Sequence, residues 1–173
     1  MTLEEAYLQH ILLHLRTSDP DDGLLTTYMN SWFAHHNGEP FLRHGRPCWL
    51  SWKSTKRVLG EHLHAISSDA RRAHAEGRFD DLVIDHTIPS AELIRSLKRG
   101  QFTHAPALRA FLKKRFTLAL LTKFEHNEVL RPFKSVMTEE WSEDAFGADE
   151  SLRYCRYRHA RTGIDFEVLR FHD

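Results

Sequence analysis

Cysteine is almost missing from this chain: Cys48 and Cys155 are its two, and they lie far apart. That excludes a disulfide framework and any zinc site built from four thiolates, and it suits a reducing compartment. Long apolar runs are missing as well. No uninterrupted stretch approaches the roughly 18 residues of a membrane helix, so no membrane partner is expected. Glu4 and Glu5 stand where a secretory signal would carry positive charge, and Gln9, His10 and His14 interrupt the apolar residues around them. These features predict a soluble, cytoplasmic protein. Internal repeats and low-complexity linkers are absent too. With 173 residues, 41% of them hydrophobic, the chain is long enough for one domain with a real core and too short for two independent ones.

Net charge is also lacking, because 24 Lys and Arg balance 24 Asp and Glu. The distribution is less even than the sum. From Leu93 to Phe124 there is no acidic residue, whereas Arg95, Lys98, Arg99, Arg109, Lys113, Lys114, Arg115 and Lys123 all fall there. Glu139 to Glu150 is the reverse, with Glu139, Glu140, Glu143, Asp144, Asp149 and Glu150. The basic stretch is suited to phosphate contacts; its plainer reading is a pair of solvated helix faces.

Periodicity and punctuation predict the elements. Thr2 and Glu5 make a capping box for a helix over Leu3 to Leu15, whose stripe is Leu8, Ile11, Leu12 and Leu15. A second helix runs from Leu24 to about His35, and Phe41 to Trp49 reads as irregular or as a short strand. Ser51 or Ser54 caps a long helix through Leu59, Leu63, Ile66, Ala70 and Ala73, up to Gly77. Leu82 to Ile84 is a short strand delivering Asp85 and His86, and Pro89 opens the helix bearing Leu93, Ile94 and Leu97. A short helix over Ala107 to Lys114 precedes a strand from Phe116 to Leu121. Thr122 and Glu125 form a second capping box, placing His126 in the first turn of a helix that Pro132 cuts short. Thr138 caps a short helix around Trp141, Asp149 to Arg161 forms another ended by Gly163, and Ile164 to Phe171 is a final strand.

Two segments carry chemistry when taken together. The first is Asp85-His86-Thr87-Ile88-Pro89; the second runs from Thr117 through Leu118, Leu120 and Leu121 to His126-Asn127. In this order they resemble the halves of an HNH nuclease core, of the His-Me finger class, whose pattern reads roughly D-H-I-x-P and then N-L-x-L-L-C-x-x-C-H-N-x-K. The resemblance covers about Leu82 to Lys134. Thr117 stands where the family has its middle Asn, and Thr122 and Glu125 stand where zinc-bearing relatives have cysteines. Leu130 occupies a place where some members carry another ligand.

The resemblance implies an α+β fold: one mostly helical domain, residues 1–173, containing a ββα core made of a two-stranded hairpin and a helix. Residues 1–80 would be a helical N-terminal part, 81–135 the core, and 136–173 C-terminal helices and a strand. It implies a metal-dependent endonuclease acting on DNA, because phosphodiester hydrolysis needs a base for the water and a cation for the departing 3′ oxygen. His86 would be the general base, and Asp85 and His126 the metal ligands. Thr117 would replace part of the hydrogen bonding of the middle Asn, with Asn127 available as a ligand or a loop anchor. Mg²⁺ suits so few protein ligands, with Mn²⁺ or Ni²⁺ as alternatives, and no structural zinc is expected. Arg95, Lys98, Arg99, Arg109, Lys113, Lys114 and Arg115 would touch the DNA backbone.

The lost Asn and zinc positions also fit an inactive HNH-fold module that inhibits or scaffolds a nucleic-acid-processing or phage-defence complex through a protein partner. Other constellations point less far. His10 and His14, His35-His36, and His62 with His64 read as exposed polar faces or loops. Cys48 and Cys155 lack a partnered base. Trp49 and Trp52 beside Arg46, Lys53, Lys56 and Arg57 read as core before they read as a base-stacking surface.

Overall fold

Thr2 and Glu5 cap each other as expected: the Glu5 amide donates to Thr2 Oγ1 at 3.2 Å and the Thr2 amide to Glu5 Oε2 at 2.8 Å. The helix they start, α1 (Leu3–Leu15), buries Leu8, Ile11 and Leu12, one stripe at helical spacing. The computed structural model describes residues 1–38, 41–47, 63–159 and 163–169. Cys48, Trp49, Trp52, Lys53, Lys56, Arg57 and His62 lie outside them. Within the described residues the chain is α+β and mostly helical. It divides into two compact units, Met1–Thr55 with Leu93–Phe116, and Lys56–Glu92 with Thr117–Asp173.

In the first unit α1 packs along α2 (Asp22–Asn37), which starts two residues earlier than expected because Asp21 Oδ1 accepts the Leu24 amide at 2.7 Å. Leu25, Met29, Trp32 and Phe33 are buried on α2, each contributing roughly 1.5–3 kcal/mol by leaving water. Phe33 stacks on Phe116 with ring centroids 4.6 Å apart and meets Phe41 edge-on at 5.0 Å. Two-residue strands β1 (Leu42–Arg43) and β2 (Arg46–Pro47) form a hairpin whose turn puts His44 and Gly45 at positive φ, 52° and 71°. Of the histidines expected on open faces, His10 is exposed and His14, His35 and His36 are half-buried, and several lie against rings. His35 stacks on Tyr7 at 5.4 Å, His36 on Trp32 at 5.1 Å and His10 on Tyr28 at 5.4 Å. Burial lowers the pKa of His35.

The second unit is built on a four-stranded mixed sheet. Its strands are β3 (Ala65–Ser67), β4 (Leu82–His86), β5 (Leu118–Thr122) and β6 (Phe166–Val168), in the order β4-β5-β3-β6. β4 runs antiparallel to β5, β3 parallel to β5, and β6 antiparallel to β3. β4 and β5, the two strands expected to pair, do so, but residues 87–117 with two helices connect them, so they form no hairpin, and two further strands complete the sheet.

The long helix expected up to Gly77 is corrected over its described part, from Leu63 onward; Ser51, Ser54 and Leu59 lie outside the described residues. Leu63 to Ser67 is buried backbone threaded between β5 and β6: the His64 amide donates to Leu118 O, and Leu169 N to His64 O, both at 2.8 Å. A strand buried on both faces is apolar without alternation, and its residues fell into helical spacing with those of the next helix. That helix, α3 (Ser68–Ala75), begins where Ser67 Oγ accepts the Ala70 amide at 3.0 Å. Two helices follow β4: α4 (Ser90–Arg99), and α5 (Ala105–Arg115), which His104 caps. The cap expected at Thr138 falls at Ser142, whose Oγ accepts from Ala145 at 3.0 Å to open α6 (Glu143–Ala148). Trp141 instead closes a turn onto Thr138 O at 3.0 Å. Asp149 caps a 3₁₀ turn, Glu150–Tyr154, that leads into α7 (Cys155–His159). Tyr154 and Tyr157 from this segment pack with Ala65, Ala119, Leu121, Leu130 and Ile164 as a core of the unit.

Candidate active site

Register fixes the first half of the site. Asp85 and His86 are the last residues of β4 and pair with Ala119 and Leu118 of β5. Beyond the strand, the Thr87 amide donates to Thr117 O at 2.9 Å and the two threonine hydroxyls hydrogen-bond each other. Thr117, fully buried, thus ties down the residue that follows His86.

The second half is set at the end of β5. Glu125 accepts from the Thr122 amide at 2.7 Å and from its hydroxyl at 2.9 Å, while Thr122 Oγ1 accepts the Glu125 amide at 3.1 Å. Ser67 Oγ adds a bond to Glu125 Oε2 at 2.7 Å. The capping box expected at the two cysteine positions of zinc-bearing relatives is formed, and β3 reinforces it. Glu125→Ala should therefore lower the unfolding free energy by about 2 kcal/mol, read as a shift of the urea midpoint; a change under about 0.5 kcal/mol would refute the cap's importance.

From this cap the chain makes one π turn, Glu125–Val129, and then a 3₁₀ turn, Arg131–Phe133, containing Pro132. Single π turns are rare and recur at functional positions. Here the turn brings His126 Nε2 to 3.6 Å from Asp85 Oδ1. Asn127 Oδ1 is 3.0 Å from His126 Nδ1 and accepts from Lys134 Nζ at 3.4 Å. An acceptor oxygen at Nδ1 requires the proton on that nitrogen, which leaves the Nε2 lone pair facing the Asp85 carboxylate. Two lone pairs at that separation repel unless a cation, a proton or a metal ion, lies between them.

Asp85 has a second commitment that the sequence did not reveal. Its Oδ2 accepts from the hydroxyl of Tyr157 at 2.9 Å and from the guanidinium of Arg156. Arg156 is 1% exposed and also donates to His86 O, to Thr87 O at 3.1 Å and to Phe133 O at 3.1 Å. Burial, and then the Asp85 charge, push the Tyr157 hydroxyl well above the ordinary phenol range, so it stays a donor. Burial also lowers His86 to about 4, with Arg156 acting in the same direction and Asp85 opposing. At neutral pH the imidazole is uncharged, the form that accepts a proton; its Nε2 is enclosed by protein.

The donor set decides which metals fit. Among the described residues no group of three His, Cys, Asp or Glu converges, so a four-coordinate zinc site is not provided. Asp85 Oδ1 and His126 Nε2 suit a hard cation that keeps most of its water, since two bonds of roughly 2.1 Å can span their separation.

The seven basic residues expected to contact DNA stand on α4 and α5, in the unit that does not carry Asp85 or His126. Arg95, Lys98, Arg99 and Lys113 are exposed, and Lys114 is half-buried. Within that unit Lys98 Nζ lies 2.6 Å from Asp22, Arg109 Nε 3.0 Å from Glu4, and Arg115 over the Phe111 ring at 4.2 Å.

Arg156 and Tyr157 are what the sequence reading missed. They lie about seventy residues from Asp85 in a run of arginines and tyrosines, and no local signal separates a buried arginine from its solvated neighbours. No family model matches the chain, and no curated protein or solved structure does either.

Proposed function

We propose that the chain is a metal-dependent endonuclease of the HNH type that hydrolyses phosphodiester bonds in DNA, acting in the cytoplasm. The observation that carries this reading is the facing pair Asp85 Oδ1 and His126 Nε2, at 3.6 Å, on a strand end and a helical turn in the order of a ββα core. Asp85 and His126 would hold a divalent cation such as Mg²⁺, with Mn²⁺ or Ni²⁺ as substitutes. When bound, the cation would offset the charge that builds on the departing 3′ oxygen. His86, neutral at physiological pH, accepts the proton of the attacking water. Thr117 holds the loop after His86, and Asn127 lies in hydrogen-bond contact with the ring of His126.

A second reading is a non-catalytic module that keeps this fold and binds a protein partner. The enclosure of His86 Nε2 favours it, because a base must reach its water. Supercoiled plasmid incubated with purified protein in Mg²⁺, Mn²⁺, Ni²⁺ or EDTA separates the two. The nuclease reading expects metal-dependent nicking that slows at least about 100-fold in His86→Ala, the scale of a general base. Folded protein that cleaves with none of the metals supports the second reading.

A further inference from the structure

The buried arginine does more than neutralise one carboxylate. Asp85, His86 and Thr87 are consecutive at the end of β4, and Arg156 hydrogen-bonds an acceptor on each of them. Its remaining bond goes to Phe133 O, in the 3₁₀ turn that follows the turn bearing His126. One guanidinium therefore ties the strand end that carries Asp85 to the segment that carries His126. Tyr157, the next residue on α7, completes the hold on the carboxylate. With Oδ2 engaged twice, Asp85 has only Oδ1 turned to His126 Nε2.

We infer that Arg156 and Tyr157 are positioning residues for the cation site: they restrict Asp85 to one ligating oxygen and set its separation from His126. The inference rests on the nuclease reading, since it assumes that this pair holds a cation. It extends that reading to residues some seventy positions away in sequence. A plain buried ion pair would need neither the bond to Phe133 O nor the tyrosine hydroxyl. Together these fix both the rotation of the carboxylate and the spacing of the ligand-bearing segments. Residues that orient metal ligands in this way typically change metal affinity by 10- to 100-fold when altered.

The test is Mn²⁺ binding to the full chain without DNA, by electron paramagnetic resonance of the free ion at one pH near neutral. Melting temperatures of the same metal-free samples are recorded alongside. Wild type is expected to bind, and His126→Ala to lose binding. Tyr157→Phe removes one hydroxyl and leaves Asp85 paired with Arg156, so it should melt within a few degrees of wild type yet bind Mn²⁺ about tenfold more weakly. Arg156→Lys keeps the charge but loses the planar fork that reaches several acceptors, and should bind more weakly still. Folded Tyr157→Phe and Arg156→Lys proteins with wild-type affinity would overturn the inference and leave the cation site standing. An affinity loss that merely tracks lost melting temperature would overturn it too. Wild type that binds no Mn²⁺ would instead bring down the nuclease reading, and this inference with it.

Discussion

Arg156→Met should lower the unfolding free energy by about 3–5 kcal/mol, more than any truncation of a single hydrogen bond in this protein. The side chain is 1% exposed and its partner Asp85 is 8% exposed, so water cannot take over either role. Without the guanidinium, Asp85 keeps one buried charge and the Tyr157 hydroxyl, while His86 O, Thr87 O and Phe133 O lose a donor each. An uncompensated buried carboxylate is costly because its charge is removed from water with no counter-charge beside it. The same logic sets the double variant. Asp85→Asn in the Arg156→Met background removes the stranded charge and should recover part of the loss, so the two changes will not add. Urea denaturation of the four proteins gives the cycle. Additive effects, or a loss below about 1 kcal/mol in Arg156→Met, would show that the pair is not the buried ion pair described.

Why that pair escaped the sequence reading, while much around it did not, follows from the range of the forces involved. Capping is local, so Thr2 with Glu5 and Thr122 with Glu125 could be read directly and are formed. The strand over Leu82–Ile84 was legible because its apolar residues are bounded by turns, and it runs two residues further, through His86; that Asp85 and His126 face each other was implied by the family resemblance alone. Local signals failed where tertiary structure decided the outcome. Ala65–Ser67 became a strand because β5 and β6 supply partners on both sides, information that lies more than fifty residues away. Ser142 displaced Thr138 as a cap although either residue can accept from a backbone amide; Thr138 O was taken by a turn. Arg156 is the extreme case. On the sequence it is one of several arginines near the C-terminal helix, and only the convergence of Asp85, His86, Thr87 and Phe133 on it makes its burial possible.

Acid should destabilise the protein through His86 in particular. Its pKa falls from 6.5 in the unfolded chain to about 4 in the fold, first because burial disfavours the imidazolium and then because Arg156 lies nearby. Between those values the unfolded chain binds the proton and the fold does not. The stability associated with a neutral His86 is therefore fully present above about pH 6.5 and is lost as pH falls toward 4. At roughly 1.4 kcal/mol per pH unit, the total over that window is about 3 kcal/mol. Other groups titrate in the same range, including His35, whose pKa burial also lowers, so the raw acid curve of the wild type does not isolate the effect. His86→Gln does: glutamine keeps a polar side chain at the position and cannot be protonated. Urea midpoints measured from pH 4 to 8 should show wild type losing stability more steeply than His86→Gln below pH 6.5, with the curves parallel above it. Curves parallel throughout would mean that His86 titrates normally and is hydrated in the folded protein. The enclosure of its Nε2 would then be wrong, and with it the observation that favours the non-catalytic reading.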